Sequence, residues 1–126
     1  MNINPVGWFE IYVQDMDRAK RFYEAVFQVK LERLNSPAEM QIELWSFPMV
    51  KDQMGASGAL VKMQNGPSGG NGVLVYFTCA DCAVEAARAA PSGGKIIREK
   101  MSIGEYGFIT LIADTEGNMI GLHSMR

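Results

Sequence analysis

Apolar and polar residues follow two rhythms along this chain, and the switches between them mark its elements. Residues 8–13 are a short run of aromatic and β-branched side chains, which predicts a strand. Directly after it, Met16, Ala19, Phe22, Tyr23, Val26 and Phe27 recur at three- and four-residue spacing, the stripe of an amphipathic helix. Asp15 or Asp17 caps that helix, and Arg18, Lys20, Arg21 and Glu24 take its polar face. Residues 29–34, 40–47 and 59–63 are each short enough for a strand, with breaks at 35–37 and 48–58.

The same order then returns. Residues 73–79 predict a strand, 81–90 an alanine-rich helix ended by Pro91, Gly93 and Gly94, and 95–100, 107–113 and 119–124 three further strands. Val13 and Asp15 correspond to Cys79 and Asp81, each Asp standing two residues past the last inward position of a strand. The reading is one domain over 1–126, with a β-α-β-β-β module over about 1–64, a Gly-rich linker at 65–72 and a second module over about 73–126. Because a strand rather than a helix follows the Gly-rich run, it lacks the context of a phosphate-binding loop.

Composition narrows the partners. The 126 residues are 48% hydrophobic and 21% charged, which describes a folded globular chain. A formal net charge of −2 gives no electrostatic reason to expect a nucleic acid or an anionic membrane as partner. No apolar stretch reaches the length of a membrane span, and residues 1–7 lack the basic region of a secretory signal, so the expected location is the cytoplasm. The two cysteines form a C-x-x-C at Cys79 and Cys82. Cys79 closes an apolar run instead of opening an exposed helix, which argues against redox work, and with a single distant His no tetrahedral zinc site can be completed.

Two segments then stand out: the run from Phe9 through Glu10, Tyr12, Asp15, Arg18, Ala19, Phe22 and Tyr23 to Phe27, and the run from Asp114 through Gly117, Asn118 and Gly121 to His123. Together they resemble the glyoxalase/bleomycin resistance/dioxygenase proteins, the vicinal oxygen chelate superfamily, over essentially the whole chain. Within it, the 117–123 run is similar to the group of predicted enzymes related to lactoylglutathione lyase. The resemblance implies an α+β fold of two tandem βαβββ modules whose curled mixed sheets form a shared cleft, in a homodimer. It also implies where a divalent metal would be held, by His, Gln or Glu on the first and fourth strands of each module. Here those positions carry Trp8, Leu74 and Gly121, and residues 59–63 offer no carboxylate, His or Gln. An indole, an aliphatic chain and a hydrogen atom offer no lone pair to such a cation, so no metal cofactor is expected.

Residues an even number apart share a strand face, so the positions beside Trp8, Leu74 and Gly121 bring Glu10 and Tyr12, Tyr76 and Thr78, and Met119 and His123 toward the cleft. Glu10 interrupts an apolar strand. A carboxylate there needs donors around it, from Trp8, a Tyr or a backbone amide, or a retained proton suited to acid/base work. The expected catalytic residues are Glu10, His123 and Tyr76, and the expected substrate-binding residues are Trp8, Tyr12, Trp45, Tyr106 and Met119. Glu105 and Tyr106, between Gly104 and Gly107, form either a loop that closes over a ligand or an ordinary turn. Three functions fit: a metal-independent lyase or isomerase acting on a small organic molecule, a non-catalytic protein that sequesters a drug, and a domain retained for interaction alone. A metal-dependent lyase or dioxygenase fits less well, for want of ligands.

Overall fold

A computed structural model describes residues 3–126, in two compact units. The first spans Trp8–Val73; the second is Leu74–Arg126 with the N-terminal residues up to Gly7, whose Pro5 carbonyl accepts from Thr78 N at 2.9 Å.

In the first unit, β1 (Val6–Tyr12) leads to α1 (Met16–Phe27), β2 (Glu32–Leu34), β3 (Ile42–Ser46) and β4 (Ser57–Met63), in the sheet order β2-β3-β4-β1. β1 and β4 run parallel, with Glu10 beside Ala59 and Tyr12 beside Val61; the other pairs are antiparallel. Asp15 is the N-cap of α1, its side chain accepting from Arg18 N at 3.0 Å. Gln28 closes the helix in the left-handed region and returns its side-chain amide to the Ala25 carbonyl at 2.6 Å. Between helix and sheet lies a core of Met16, Leu31 and Leu60, flanked by Ile11, Val13, Ala19, Tyr23, Trp45 and Phe47. Strand β2 is shorter than residues 29–34 predicted: Leu31 is drawn into this core, and Glu24 accepts from its backbone N at 2.9 Å.

The second unit repeats the plan with β5 (Val73–Thr78), α2 (Cys82–Ala87), β6 (Lys95–Ser102), β7 (Phe108–Ala113) and β8 (Met119–Ser124), in the order β5-β8-β7-β6. Here β5 and β8 are the parallel pair, with Tyr76 beside Gly121 and Thr78 beside His123. Cys82, Ala86 and Leu122 centre the core, with Phe77, Cys79, Ile96, Phe108 and Ile112 packed around them. The helix is only half as long as α1, because beyond Ala87 the chain leaves α-geometry in a series of tight turns that ends at Gly94 N donating to the Ala89 carbonyl at 2.8 Å. The turn between β7 and β8 explains the spacing of Asp114, Gly117 and Asn118. Asp114 accepts from the backbone N of Glu116 at 2.8 Å and of Asn118 at 2.9 Å, while Gly117 supplies the positive φ of 83°.

The Gly-rich segment is tied to the first unit, Tyr12 N donating to the Gly72 carbonyl at 2.7 Å and the Gln14 side chain to the Gly66 carbonyl at 2.8 Å. Among the described residues no helix is long and apolar enough to cross a membrane.

Candidate functional site

Alternation along β1 puts Trp8, Glu10 and Tyr12 on one face, and the three side chains join there. Trp8 Nε1 donates to one oxygen of Glu10 at 3.3 Å and the Tyr12 hydroxyl donates to the other at 3.0 Å. All three are half-buried, and the β4 residues beside Glu10 and Tyr12 are the buried Ala59 and Val61. Burial raises the Tyr12 phenol well above its ordinary value, and the charge of Glu10 and the hydrogen bond to it add to the rise. Tyr12 therefore stays a protonated donor throughout the neutral range. The row from Glu10 through Ala59 also reaches Ser46 on β3, a buried hydroxyl that sequence reasoning missed. Counting by twos along 40–47 would have set Ser46 on a face with Ile42 and Leu44, but only the pairing shows that this is the face of Glu10.

Trp45 stands apart from this group. It pairs with Leu60, which pairs with Ile11, so it lies on the opposite face of the sheet, in the core beneath α1. Lys20 Nζ stands 3.3 Å from the centre of its ring, and its Nε1 donates to Glu43 at 2.8 Å. One stacking face and the polar edge of this indole are thus already used.

In the second unit Tyr76, Thr78, Met119, Gly121 and His123 share the face away from Phe77 and Leu122, which belong to the core under α2. Tyr76 is buried, and its ring lies against Gly121 so closely that a Cβ at 121 would overlap it. His123 Nε2 lies 2.6 Å from the Tyr106 carbonyl. A carbonyl only accepts, so Nε2 carries the proton and, in the neutral ring, Nδ1 carries the lone pair. Tyr106 ends a single 3₁₀ turn, Gly104–Tyr106, and is exposed. Its phenol is shifted upward, first by desolvation and then by Glu105. Gly104 and Gly107 take φ values of 78° and 101°, and Ile103 N donates to the Gly107 carbonyl at 2.8 Å, so this is a tied turn of ordinary make. Met119 begins β8 and is exposed.

The cysteines are both free thiols. Desolvation, with the charge of Glu85 next, pushes the Cys79 thiol up to about 11, so it is not a thiolate at neutral pH. Cys82 is buried at the start of α2.

The three positions at which the resemblance places metal donors carry no side chain that could ligate one. Trp8 spends its only polar hydrogen on Glu10, Leu74 is a buried aliphatic chain, and the room a donor would need at Gly121 is filled by the Tyr76 ring. Among the described residues no three of His, Cys, Asp and Glu gather as a metal site would require.

The family model of the Glyoxalase/Bleomycin resistance protein/Dioxygenase superfamily matches residues 5–122. The chain belongs to this superfamily. Its α+β architecture agrees with that of solved members of the fold. A Streptomyces coelicolor methylmalonyl-CoA epimerase variant, in complex with 2-nitronate-propionyl-CoA, is 18% identical with a TM-score of 0.73, covering 98% of each chain. The methylmalonyl-CoA epimerase from Mycobacterium tuberculosis is 15% identical with a TM-score of 0.69, covering 97% of this chain and 88% of that one. A hypothetical protein from Bacillus halodurans is 10% identical with a TM-score of 0.73, covering 96% and 94%. At these identities the likeness concerns the fold of the superfamily member, and no curated protein matches the chain.

Proposed function

We propose that this superfamily member is a metal-independent lyase or isomerase of small organic molecules, related to the lactoylglutathione lyase group, in which Glu10 moves the proton. The observation that carries the reading is Glu10 itself, a half-buried carboxylate on β1 oriented by two neutral donors, Trp8 and Tyr12, in a chain that has Trp8, Leu74 and Gly121 where the resemblance implies metal donors. An ionised carboxylate oriented by neutral donors is the form that takes a proton from a carbon acid. Tyr12 keeps its own proton through the neutral range and holds the carboxylate in a single orientation. Tyr76 and His123 are the proposed polarising groups. His123, with Nε2 committed to Tyr106, offers Nδ1 as an acceptor when neutral and as a donor when protonated.

Solved structures of similar fold hold acyl-CoA compounds, among them a methylmalonyl-CoA epimerase with methylmalonyl-CoA. Thioesters with an acidic α-carbon are therefore the first substrates to try. The test is solvent deuterium uptake at that carbon. Wild-type protein should catalyse it and Glu10→Gln should slow it at least about 100-fold while keeping the fold, the usual scale for a lost general base. Undiminished exchange by Glu10→Gln would remove Glu10 from the mechanism.

One observation favours a second reading. Both oxygens of Glu10 accept from its own strand, as those of a structural carboxylate do. This suits a non-catalytic protein, similar to the bleomycin-resistance members, that holds a small molecule unchanged. Recovery of a chemically altered ligand would end that reading. The homodimer implied by the resemblance, and a cytoplasmic location in keeping with two free thiols, complete the proposal.

A further inference from the structure

Among the described residues the buried serine and threonine side chains are Ser46, Thr110 and Ser124. Two of them spend their hydroxyls within the fold. Thr110 donates to the Arg98 carbonyl, and Ser124 donates to the Arg126 carbonyl at 2.8 Å while accepting from Cys82 N at 3.0 Å. Ser46 is only 7% exposed, yet among the described residues its hydroxyl makes no hydrogen bond. A donor so placed is costly to keep unless something outside the chain supplies its acceptor. The fully enclosed side-chain oxygen that lacks a partner is Oε1 of Glu85, so the Ser46 hydroxyl retains open surface through which an acceptor can arrive.

Strand pairing puts that hydroxyl in the row of Glu10. Glu10 lies beside Ala59, and Ala59 beside Ser46. Neighbouring strands lie about 5 Å apart, so Glu10 and Ser46 rise from one face about 10 Å from each other, with only a methyl group between them. A carbonyl group and its α-carbon, each about 3 Å from the polar group it meets, bridge that interval. With Glu10 taking the α-proton, the Ser46 hydroxyl would donate to the oxygen on which negative charge develops. Ser57, on the same face beside Trp8, is already engaged, its hydroxyl lying 3.2 Å from the Phe47 carbonyl and 3.1 Å from that of Pro48.

The row ends in a second carboxylate, because Ser46 pairs on its other side with Glu32 of β2. A group seated at Ser46 therefore has a carboxylate to either side. The cations of these strands are turned away: Arg33 lies beside Trp45 and Lys62 beside Glu43, on the face under α1. A ligand carboxylate at Ser46 would meet two like charges, whereas a neutral carbonyl would meet a donor.

We infer that the substrate is uncharged around its reacting carbon and that Ser46 holds the carbonyl oxygen next to that carbon. The inference rests on the proposed reaction at Glu10 and narrows its substrates to carbonyl compounds with no carboxylate on the acidic carbon.

The test is calorimetric titration of the full chain with two thioesters, methylmalonyl-CoA and the analogue in which a carboxamide replaces its free carboxylate. The two have nearly the same shape and differ by one charge. The carboxamide should bind at least about tenfold more tightly. Ser46→Ala should weaken the carboxamide about three- to tenfold with an unchanged circular dichroism spectrum, and Glu10→Gln should narrow the gap by improving the free acid. Equal binding of the two, or a preference for the free acid, overturns the inference about charge. A carboxamide that binds Ser46→Ala as well as wild type removes Ser46 from the site. Failure of both compounds to bind at about 1 mM overturns the inference altogether. If the carboxamide is preferred through Ser46 but neither compound takes up solvent deuterium, the inference stands and the proposed proton transfer falls.

Discussion

The two units share one plan, βαβββ with a parallel pair of strands at one end of each four-strand order, yet they finish it differently. In the first unit a twelve-residue helix covers the sheet and leaves Phe22 and Val26 in solvent. In the second a six-residue helix buries only the small Cys82 and Ala86 and half-buries Glu85. The central faces differ in kind as well. Glu10 on β1 stands beside Ala59 and is held by polar donors, whereas Tyr76, the corresponding residue of β5, stands beside Gly121 and leans its ring over the vacant side-chain position. One plan has thus given a polar centre in one unit and an aromatic one in the other. The general point is that a repeat conserves where strands run and leaves each face free to take up its own chemistry.

The comparison is open to attack at several points. The largest effect is expected in the two cores. Leu60→Ala should cost about 2–5 kcal/mol, and Leu122→Ala a similar amount, because each empties a site enclosed by the helix above it. Urea denaturation of both variants checks this, and a cost under about 1 kcal/mol in either would mean that its unit does not depend on that core.

The next test separates the central faces. Gly121→Ala should cost about 1–3 kcal/mol by forcing the buried Tyr76 ring aside. At the matching place in the first unit, Ala59→Gly should cost only about 0.5–1 kcal/mol, the ordinary effect of glycine in a strand. A neutral Gly121→Ala in the same denaturation assay would show that the ring does not need the space.

Smaller effects are expected at the caps. Asp15 and Asp81 occupy the same position in the repeat, but Asp81 also binds Lys100 at 2.8 Å, whereas among the described residues Asp15 caps a backbone amide without such an ion pair. Asp81 is held below the usual carboxylate value chiefly by Lys100 and then by the Ala83 amide; Asp15 is lowered chiefly by the Arg18 amide. With the folded-state value depressed, each contribution is complete above the ordinary carboxylate value of 3.8 and disappears as pH falls below it. Asp81→Ala should therefore lower the melting temperature at neutral pH more than Asp15→Ala does. Both variants should converge on the wild type in acid, and a gap that persists there would locate the effect in packing.

The smallest signal belongs to Cys79. With its thiol pushed up to about 11, alkylation by iodoacetamide should be slow at neutral pH and should climb about tenfold per pH unit toward that value. A rate already on its plateau at neutral pH would show a thiolate and revive the redox reading of the C-x-x-C.

Much of the fold was legible along the chain. Period-two and period-3.6 patterns mark the strands and both helices, because each element must turn one apolar side toward a core. Glu10 stood out as a polar residue in an apolar strand, and its donors Trp8 and Tyr12 follow from side-chain alternation alone. Other features were not legible. The stripe of α1 included Phe22 and Val26 with Met16, since periodicity measures which side of a helix is apolar and not what covers it. Trp45 seemed available to a ligand because a strand has two faces and its own sequence does not name the inner one; pairing with Leu60 turned it under α1.

By itself, then, the sequence determined the element order, the repeat, the capping aspartates and the absence of metal-ligating side chains at Trp8, Leu74 and Gly121. These are local properties, settled by the identity of a residue and its near neighbours. The tertiary structure alone decided which side chains meet: Tyr76 over Gly121, His123 on the Tyr106 carbonyl, Ser46 in the row of Glu10, Lys20 on Trp45. Such contacts depend on strand register and helix packing between segments far apart in the chain, and a shift of one residue would turn every side chain of a strand to the other face.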